Sequence, residues 1–410
     1  MKTLIDRAKD QVYLLLFAML ASAAFSNSLF EISSSVFMVL WLFTVLAERR
    51  WKIFKGVWVY FLGAYVAVNV LSVFQTVSVH DSVKGAFRVL RWAILTLGVT
   101  DTVDTREKLI KVCEALLAVV LFICLDALIQ GMTGIEILRG RAMTAFYGET
   151  KRITGPFTHA NDFSAYLCLA LFTSCAGLIT TFKNGPRSLR FFLALTVLLI
   201  AGVCFVMTYS RGAWLAAMLA FGLWALLRRS VWPVVLVGVF LLGAYLYSPF
   251  LFQKRFDSLG NMWSGTVSER RILWKESIEM IRARPVLGFG INTYSSNVKR
   301  FKDPLHPTDV QYAHNGYLQI AAETGLVGIG VFLTMIFYFL TAMFSVFFKR
   351  AGDAAKDGEL LMYAQGLVLG IFAMLLQSAT DTTLQSLMLS ALLWMWIGLA
   401  WSAHRLAVVA

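Results

Sequence analysis

His314 opens the run HNGYLQIAAETGLVG, where a long polar segment gives way to an apolar one. Imidazole is the side chain whose ordinary titration range suits proton transfer near neutrality, so a histidine at such a mouth is a candidate base. The plainer alternative is a structural or interfacial histidine. On a helix its face would carry Tyr317, Leu318 and Ala321, while Asn315, Gln319 and Glu323 form a separate polar stripe. Among the other histidines, His306 reads as loop, and neither His80 in a short turn nor His404 at a span edge has an assigned role. His159, in GPFTHANDFSAYL, stands at a helix start, with Asn161 as a plausible cap and Asp162 in the first turn.

Arginine supplies the other candidate chemistry. Projecting 269–284 as a helix puts Leu273, Trp274, Ile278, Met280 and Ile281 on one broad face and Arg271, Lys275, Glu279 and Arg282 on the other. Arg270 falls on the apolar stripe. A guanidinium held inward at a membrane surface is costly unless it meets an anion, and its planar fork matches phosphate oxygens. Snorkelling to headgroups or pairing with a local carboxylate is the alternative. Arg211, in TYSRGAW, sits in a very short turn between two apolar spans, where Ser210 could cap the next helix. A cation in that first turn opposes the helix dipole, which a structural role would not favour. Arg88 and Arg91 lie one turn apart at a span end, with Lys84 nearby; lipid anchoring and substrate contact are equally open for all three.

Metal chemistry finds no support in the motifs. There is no DxD, HExxH, Walker A loop, GxSxG or Rossmann fingerprint, and GFG and GLVGIG read as turn and helix-packing glycines. If phosphate is handled here, arginines replace the metal, and no cofactor is expected.

The elements that must position these residues are membrane helices. The chain has 410 residues, 58% hydrophobic and 15% charged, with a mean hydropathy of +0.69. No soluble domain of this size covers so much apolar surface with so few charges. The apolar residues fall in blocks near the roughly 20 residues that cross about 30 Å of hydrocarbon. They lie near 11–29, 32–47, 57–77, 87–102, 109–130, 163–182, 189–208, 212–227, 231–252, 325–348, 360–379 and 384–403. All five cysteines fall inside these blocks, against a disulfide framework or zinc site, and no cleavable signal peptide is evident.

With the N-terminus in the cytoplasm, Lys and Arg gather in the inner loops, for example Arg49, Arg50, Lys52 and Lys55, while the short outer turns hold only Lys84 and Arg211. The formal net charge of +13 is largely this ordinary basic flanking and does not imply nucleic acid. Two long outer segments, 131–162 and 253–313, are basic too; the second holds ten basic residues against six acidic. The expected fold is an all-α polytopic membrane protein of about twelve transmembrane helices. Residues 1–252 would form an N-terminal bundle, 253–313 a partly helical periplasmic loop, and 314–410 the C-terminal helices. No internal repeat supports a transporter of inverted halves; Glu114 and Asp126 are the charges deepest in the spans.

Four runs in order, GPFTHANDFSAYL at 155–167, SRGAW at 210–214, RRILWKESIEMIRARPVLGFG at 270–290 and HNGYLQIAAETGLVG at 314–328, resemble the O-antigen ligase and polymerase superfamily. Where relatives often read Asn-Pro-Asn, this chain has His159-Ala160-Asn161. The resemblance implies a membrane-embedded, GT-C-like, metal-independent and inverting glycosyltransferase of the bacterial inner membrane. Its donor would be a glycan on undecaprenyl diphosphate and its acceptor a sugar hydroxyl of the lipid A core. It also implies His314 as the family histidine and Arg211 and Arg270 as the family arginines, with Arg271 in reserve if the register is off by one. O-antigen polymerase and protein O-glycan transfer share the donor; a lipid-linked glycan flippase would make no bond.

Overall fold

The structure is a computed structural model. It describes residues 2–143, 146–147, 150–247, 266–302, 312–348 and 358–409. The helices, in chain order, are α1 (Lys2–Phe25), α2 (Asn27–Glu48), α3 (Val57–Ser72), α4 (Val79–Thr102), α5 (Arg106–Thr133), α6 (Ala160–Asn184), α7 (Leu189–Met207), α8 (Arg211–Arg228) and α9 (Trp232–Tyr247). After these come α10 (Thr266–Ala283), α11 (Tyr294–Val298), α12 (Gly316–Phe347), α13 (Gly358–Gln377) and α14 (Leu387–Val409). A two-residue ladder pairs Phe146–Tyr147 with Thr150–Lys151.

Every apolar block read from the sequence coincides with a helix. Among the described residues, nine of these helices are long and apolar enough to cross a membrane. The chain is an all-α, multi-pass membrane protein. Local chemistry sets many boundaries. Ser26, Thr105 and Ser188 accept hydrogen bonds from the backbone just inside α2, α5 and α7, and Gly134, at φ 79°, closes α5 in the left-handed conformation. Three starts differ from the sequence reading: α1 begins near Lys2, α4 at Val79 and α12 at Gly316. In each case a more polar turn precedes the apolar block and continues the same helix.

The most buried spans are α6, α13 and α14, whose apolar windows are 78%, 83% and 83% buried, against 33% for α1, α3 and α7. Their packing relies on close backbone approach. A Cβ on Gly366 or Gly370 of α13 would fall 2.6 Å from the Phe172 carbonyl oxygen or 2.5 Å from that of Leu169 on α6. On the periphery, Leu71, Leu199, Leu219 and Phe337 are exposed, as lipid contact requires. The two deep charges are both engaged: Glu114 lies 4.0 Å from Arg190, and Asp126 accepts from the amides of Ile137 and Leu138.

One helix is broken, and the break is stitched by the amphipathic segment. In α12, Gly325 adopts φ 70° and ψ −174°, so the helical ladder is interrupted there. The segment following α10, RPVLGFG, fills the gap. Phe289 and Gly290 donate to the carbonyls of Ala322 and Glu323, and Leu326 and Val327 donate to those of Pro285 and Val286. Backbone groups freed in hydrocarbon must find partners, and here a distant segment supplies them. A Cβ on Gly325 would lie 2.1 Å from the Val286 carbonyl oxygen. GLVGIG is therefore more than helix packing, while Gly288 and Gly290 are turn glycines as expected, both at positive φ. Gly325→Ala should cost on the order of 1–3 kcal/mol in backbone strain, plus loss of the stitch; a thermal melt in detergent with an unchanged midpoint would refute this.

On α10 itself, Leu273 and Met280 are buried and Arg271, Lys275 and Arg282 exposed, as expected. Ile278 is not buried: it is 40% exposed. Glu276 and Ser277 take the inward position instead, and the Ser277 hydroxyl pairs with that of Tyr294 at 2.8 Å.

Candidate active site

A cavity of about 820 Å³ opens between α3, α4, α6, α12 and α14, lined by His314, Asp381, Arg152, Asn161 and Arg88 among others. The turn between α13 and α14 organises it. The start of α12 is clamped onto this turn: the Gly316 amide donates to the carbonyls of Ser378 and Asp381, the Asn315 side chain to that of Ala379, and the Tyr317 hydroxyl to that of Leu375. His314 is therefore not on the helix. It stands just outside, at φ 48°, while Asn315 caps α12 by accepting from the Tyr317 and Leu318 amides. The clamp brings His314 Nδ1 to 3.4 Å from Asp381 Oδ1.

Asp381 collects partners. The Thr382 amide donates to Oδ1 at 2.9 Å, the Asn161 amide group donates to Oδ2, and Arg270 Nη2 lies 3.8 Å from the same oxygen. Burial alone would raise its carboxyl, but His314, Arg270 and the Thr382 amide more than offset this and hold it below the usual carboxylate range. From α10, Arg270 reaches Asp381 while Trp274, one turn on, donates to the His314 carbonyl at 3.5 Å. One helix face thus holds both the guanidinium and the histidine's backbone.

Arg152 is the second cation at this turn. Its Nε donates to the Thr208 carbonyl at 2.7 Å and its Nη2 to Asn161 Oδ1 at 2.8 Å. Burial lowers its guanidinium from the ordinary value; Asp381 opposes that, and Arg270 and Arg211 add to it. Arg270 and Arg211 therefore both lie within electrostatic range of Arg152. Arg211 is the first residue of α8, with Ser210 at the cap position, though the Ser210 side chain makes no capping bond. Gly212 packs against the same turn, where a Cβ would lie 2.3 Å from Thr380 Oγ1.

The other sequence candidates separate. Arg88 lines the cavity on the α4 side, within electrostatic range of Glu323. Arg91 is committed elsewhere: it pairs with Glu31 and donates to Ser34 and Ser35, tying α4 to α2. Lys84 and Arg271 are exposed outside the cavity lining. His159 lines the cavity at the cap position of α6, and Asn161 lies inside that helix rather than capping it. The stripe Gln319–Glu323 is turned inward, with Glu323 accepting from the amides of Asn292 and Tyr294. His80 is exposed, His404 stacks on Trp401, and His306 lies outside the described residues.

Sequence reasoning missed Asp381 and Arg152. Asp381 is a lone acidic residue in a turn tested only for basic ones, and Arg152 was counted only as loop charge. Among the described residues, no three His, Cys, Asp or Glu side chains converge on a point. A second cleft of about 430 Å³, almost wholly apolar, lies between α6, α7, α8 and α9; Met207 and Trp214 on its wall bracket the turn that carries Arg211.

This arrangement can bind an anion with guanidinium groups beside an oriented imidazole. Comparison with known proteins agrees in kind. The chain is 20% identical over 364 residues, 85% of its own length and 79% of the relative's, to the exopolysaccharide production protein ExoQ of Rhizobium meliloti. It is 24% identical over 206 residues to a protein of Rickettsia prowazekii named as a polysaccharide ligase, covering 48% of this chain and 50% of that one. A similarly named protein of Rickettsia typhi is 23% identical over 208 residues, again half of that relative's length. Residues 195–333, which include Arg211, Arg270 and His314, match the family model described as O-antigen ligase.

Proposed function

We propose that this protein transfers a glycan from undecaprenyl diphosphate to a sugar hydroxyl of the lipid A core, in an inner membrane that it crosses about twelve times. The cavity faces the periplasm, and both termini face the cytoplasm. The reading rests on one observation: His314 and the guanidinium groups of Arg270 and Arg152 gather around the Asp381 turn, with Arg211 beside them. Asp381 takes the Nδ1 proton of His314 as a hydrogen bond, leaving Nε2 as acceptor. The acceptor hydroxyl attacks the anomeric carbon, its proton passes to Nε2, and the bond from that carbon to the diphosphate oxygen breaks with inversion. The electron pair leaves on the diphosphate, where fixed guanidinium groups in a water-poor site hold the developing charge. The polyprenyl chain runs in the apolar cleft beside Arg211 and keeps the donor oriented in the membrane.

A second reading, extension of a polysaccharide still on its carrier, is favoured by the likeness to an exopolysaccharide production protein over 85% of the chain. Reconstitution with labelled lipid-linked glycan and purified lipid A core separates the two. The expected product is a conjugate of glycan and core; longer chains on the carrier would select the second reading, and no new bond would reject both. Excess chelator should leave the rate within about twofold, because guanidinium groups stand where a divalent ion would otherwise hold the charge. Loss of transfer on chelation would overturn the metal-independent route.

A further inference from the structure

The cavity has two polar ends, and only one is accounted for by a diphosphate. Around Asp381, Arg270 and Arg152 act on the carboxylate and Arg211 acts on Arg152, and even with Asp162 in range of Asp381 the cations outnumber the carboxyls, which suits a multiply charged anion. On the α3 and α4 side the balance differs. There Arg88 faces the buried carboxylate of Glu323, so its charge is met within the wall. The wall also carries two amide oxygens that accept nothing from the protein. Asn69 is 1% exposed; its nitrogen donates to the Tyr65 carbonyl at 2.7 Å, while Oδ1 is without a partner. Gln385 donates to the Gly316 carbonyl at 3.1 Å, and its buried Oε1 is likewise unmatched. Both side chains line the cavity.

Buried carbonyl oxygens left unmatched are costly, and a site that leaves them so is built to receive donors. Aromatic rings flank them. Tyr65 and Trp92 both stack on Trp394, with centroids 6.0 Å and 6.5 Å apart, and all three rings line the cavity. Free acceptors, near-neutral charge and flat apolar rings together fit a neutral ring bearing hydroxyl groups on its edges and C–H bonds on its faces. A run of contacts ties this wall to the backbone just before His314: the Ala313 amide donates to Gln319 Oε1 at 3.3 Å, and Gln319 donates to Glu323 at 3.4 Å.

We infer that Asn69 and Gln385, with Tyr65, Trp92 and Trp394, form the acceptor subsite, which takes a neutral sugar ring on the side of His314 away from the three arginines. This rests on the proposed transfer but is tested apart from it. The full chain in nanodiscs is probed in two ways: with tritiated undecaprenyl diphosphate by filter binding, and with free glucose, galactose and N-acetylglucosamine by saturation-transfer difference NMR. Asn69→Ala should cut the sugar response at least about tenfold, the scale of one buried hydrogen bond with its neighbours, and leave lipid binding within about twofold. Arg152→Ala should do the reverse. Gln385→Leu, at a partly exposed position, repeats the sugar arm if Asn69→Ala does not fold. Sugar signals absent in the wild type, or insensitive to both amide variants, would overturn the subsite. Sugar binding without lipid binding would instead remove the donor reading and leave the subsite standing.

Discussion

His314→Ala is expected to abolish glycan transfer, with a fall on the order of 10²–10⁴ in kcat, the range contributed by general acid–base catalysis. Protein abundance should be unchanged, because the histidine lies outside α12 and its backbone is held by Trp274 and by the clamp at Gly316 rather than by the ring. Binding of undecaprenyl diphosphate should persist, since the guanidinium groups that grip it are separate residues. Near-normal transfer by well-expressed variant protein would reject the role of the imidazole. Loss of transfer together with loss of donor binding would mean that the ring holds the site open rather than moving a proton.

Asp381→Asn should have an effect of similar size by a different route. The amide keeps the shape but removes the charge that orients His314 and opposes Arg270 and Arg152. Misorientation of the base should lower kcat by about 10²–10⁴. The KM for the donor should hold or fall, because an anion that competes with the diphosphate for Arg270 has gone; a damaged fold would raise it. Stability carries its own signature. The carboxyl is held below its ordinary range in the folded protein, so its contribution is present above the unfolded value of about 4 and lost as pH falls through the lower folded value. At neutral pH the variant should therefore melt lower, by roughly 1–3 kcal/mol for a partly exposed pair, and the gap should begin to close near pH ~4 as the pH is lowered. A gap that widens on acidification would contradict the assignment, as would a rise in donor KM with unchanged kcat.

The membrane helices were readable because an apolar block of spanning length has few other uses, and a simple period found Leu273 and Met280 on the inward face of α10 but misplaced Ile278. His314, Arg211 and Arg270 stand out in the sequence because each is a polar or charged residue where an apolar surface would be cheaper, and the structure brings His314 and Arg270 to the Asp381 turn. Asp381 and Arg152 carry no such local signal. Their meaning lies in pairing across the chain, through Asn161 and Thr208, and only the fold brings those partners together. The same is true of Gly325: a glycine in an apolar helix reads as packing until a segment some forty residues earlier is seen to supply its missing hydrogen bonds. Arg88 and Arg91 were indistinguishable by spacing, yet Glu31 binds one of them and the cavity takes the other.

The stitched break in α12 also bears on how the proposed site would release its product. Parting Phe289 and Gly290 from Ala322 and Glu323 would strand backbone groups in a nonpolar medium at several kcal/mol each. The C-terminal end of α10 is thereby fastened to its neighbour. Under the proposed transfer, a diphosphate would therefore leave without displacement of that end of the helix, past arginines that stay where their partners hold them.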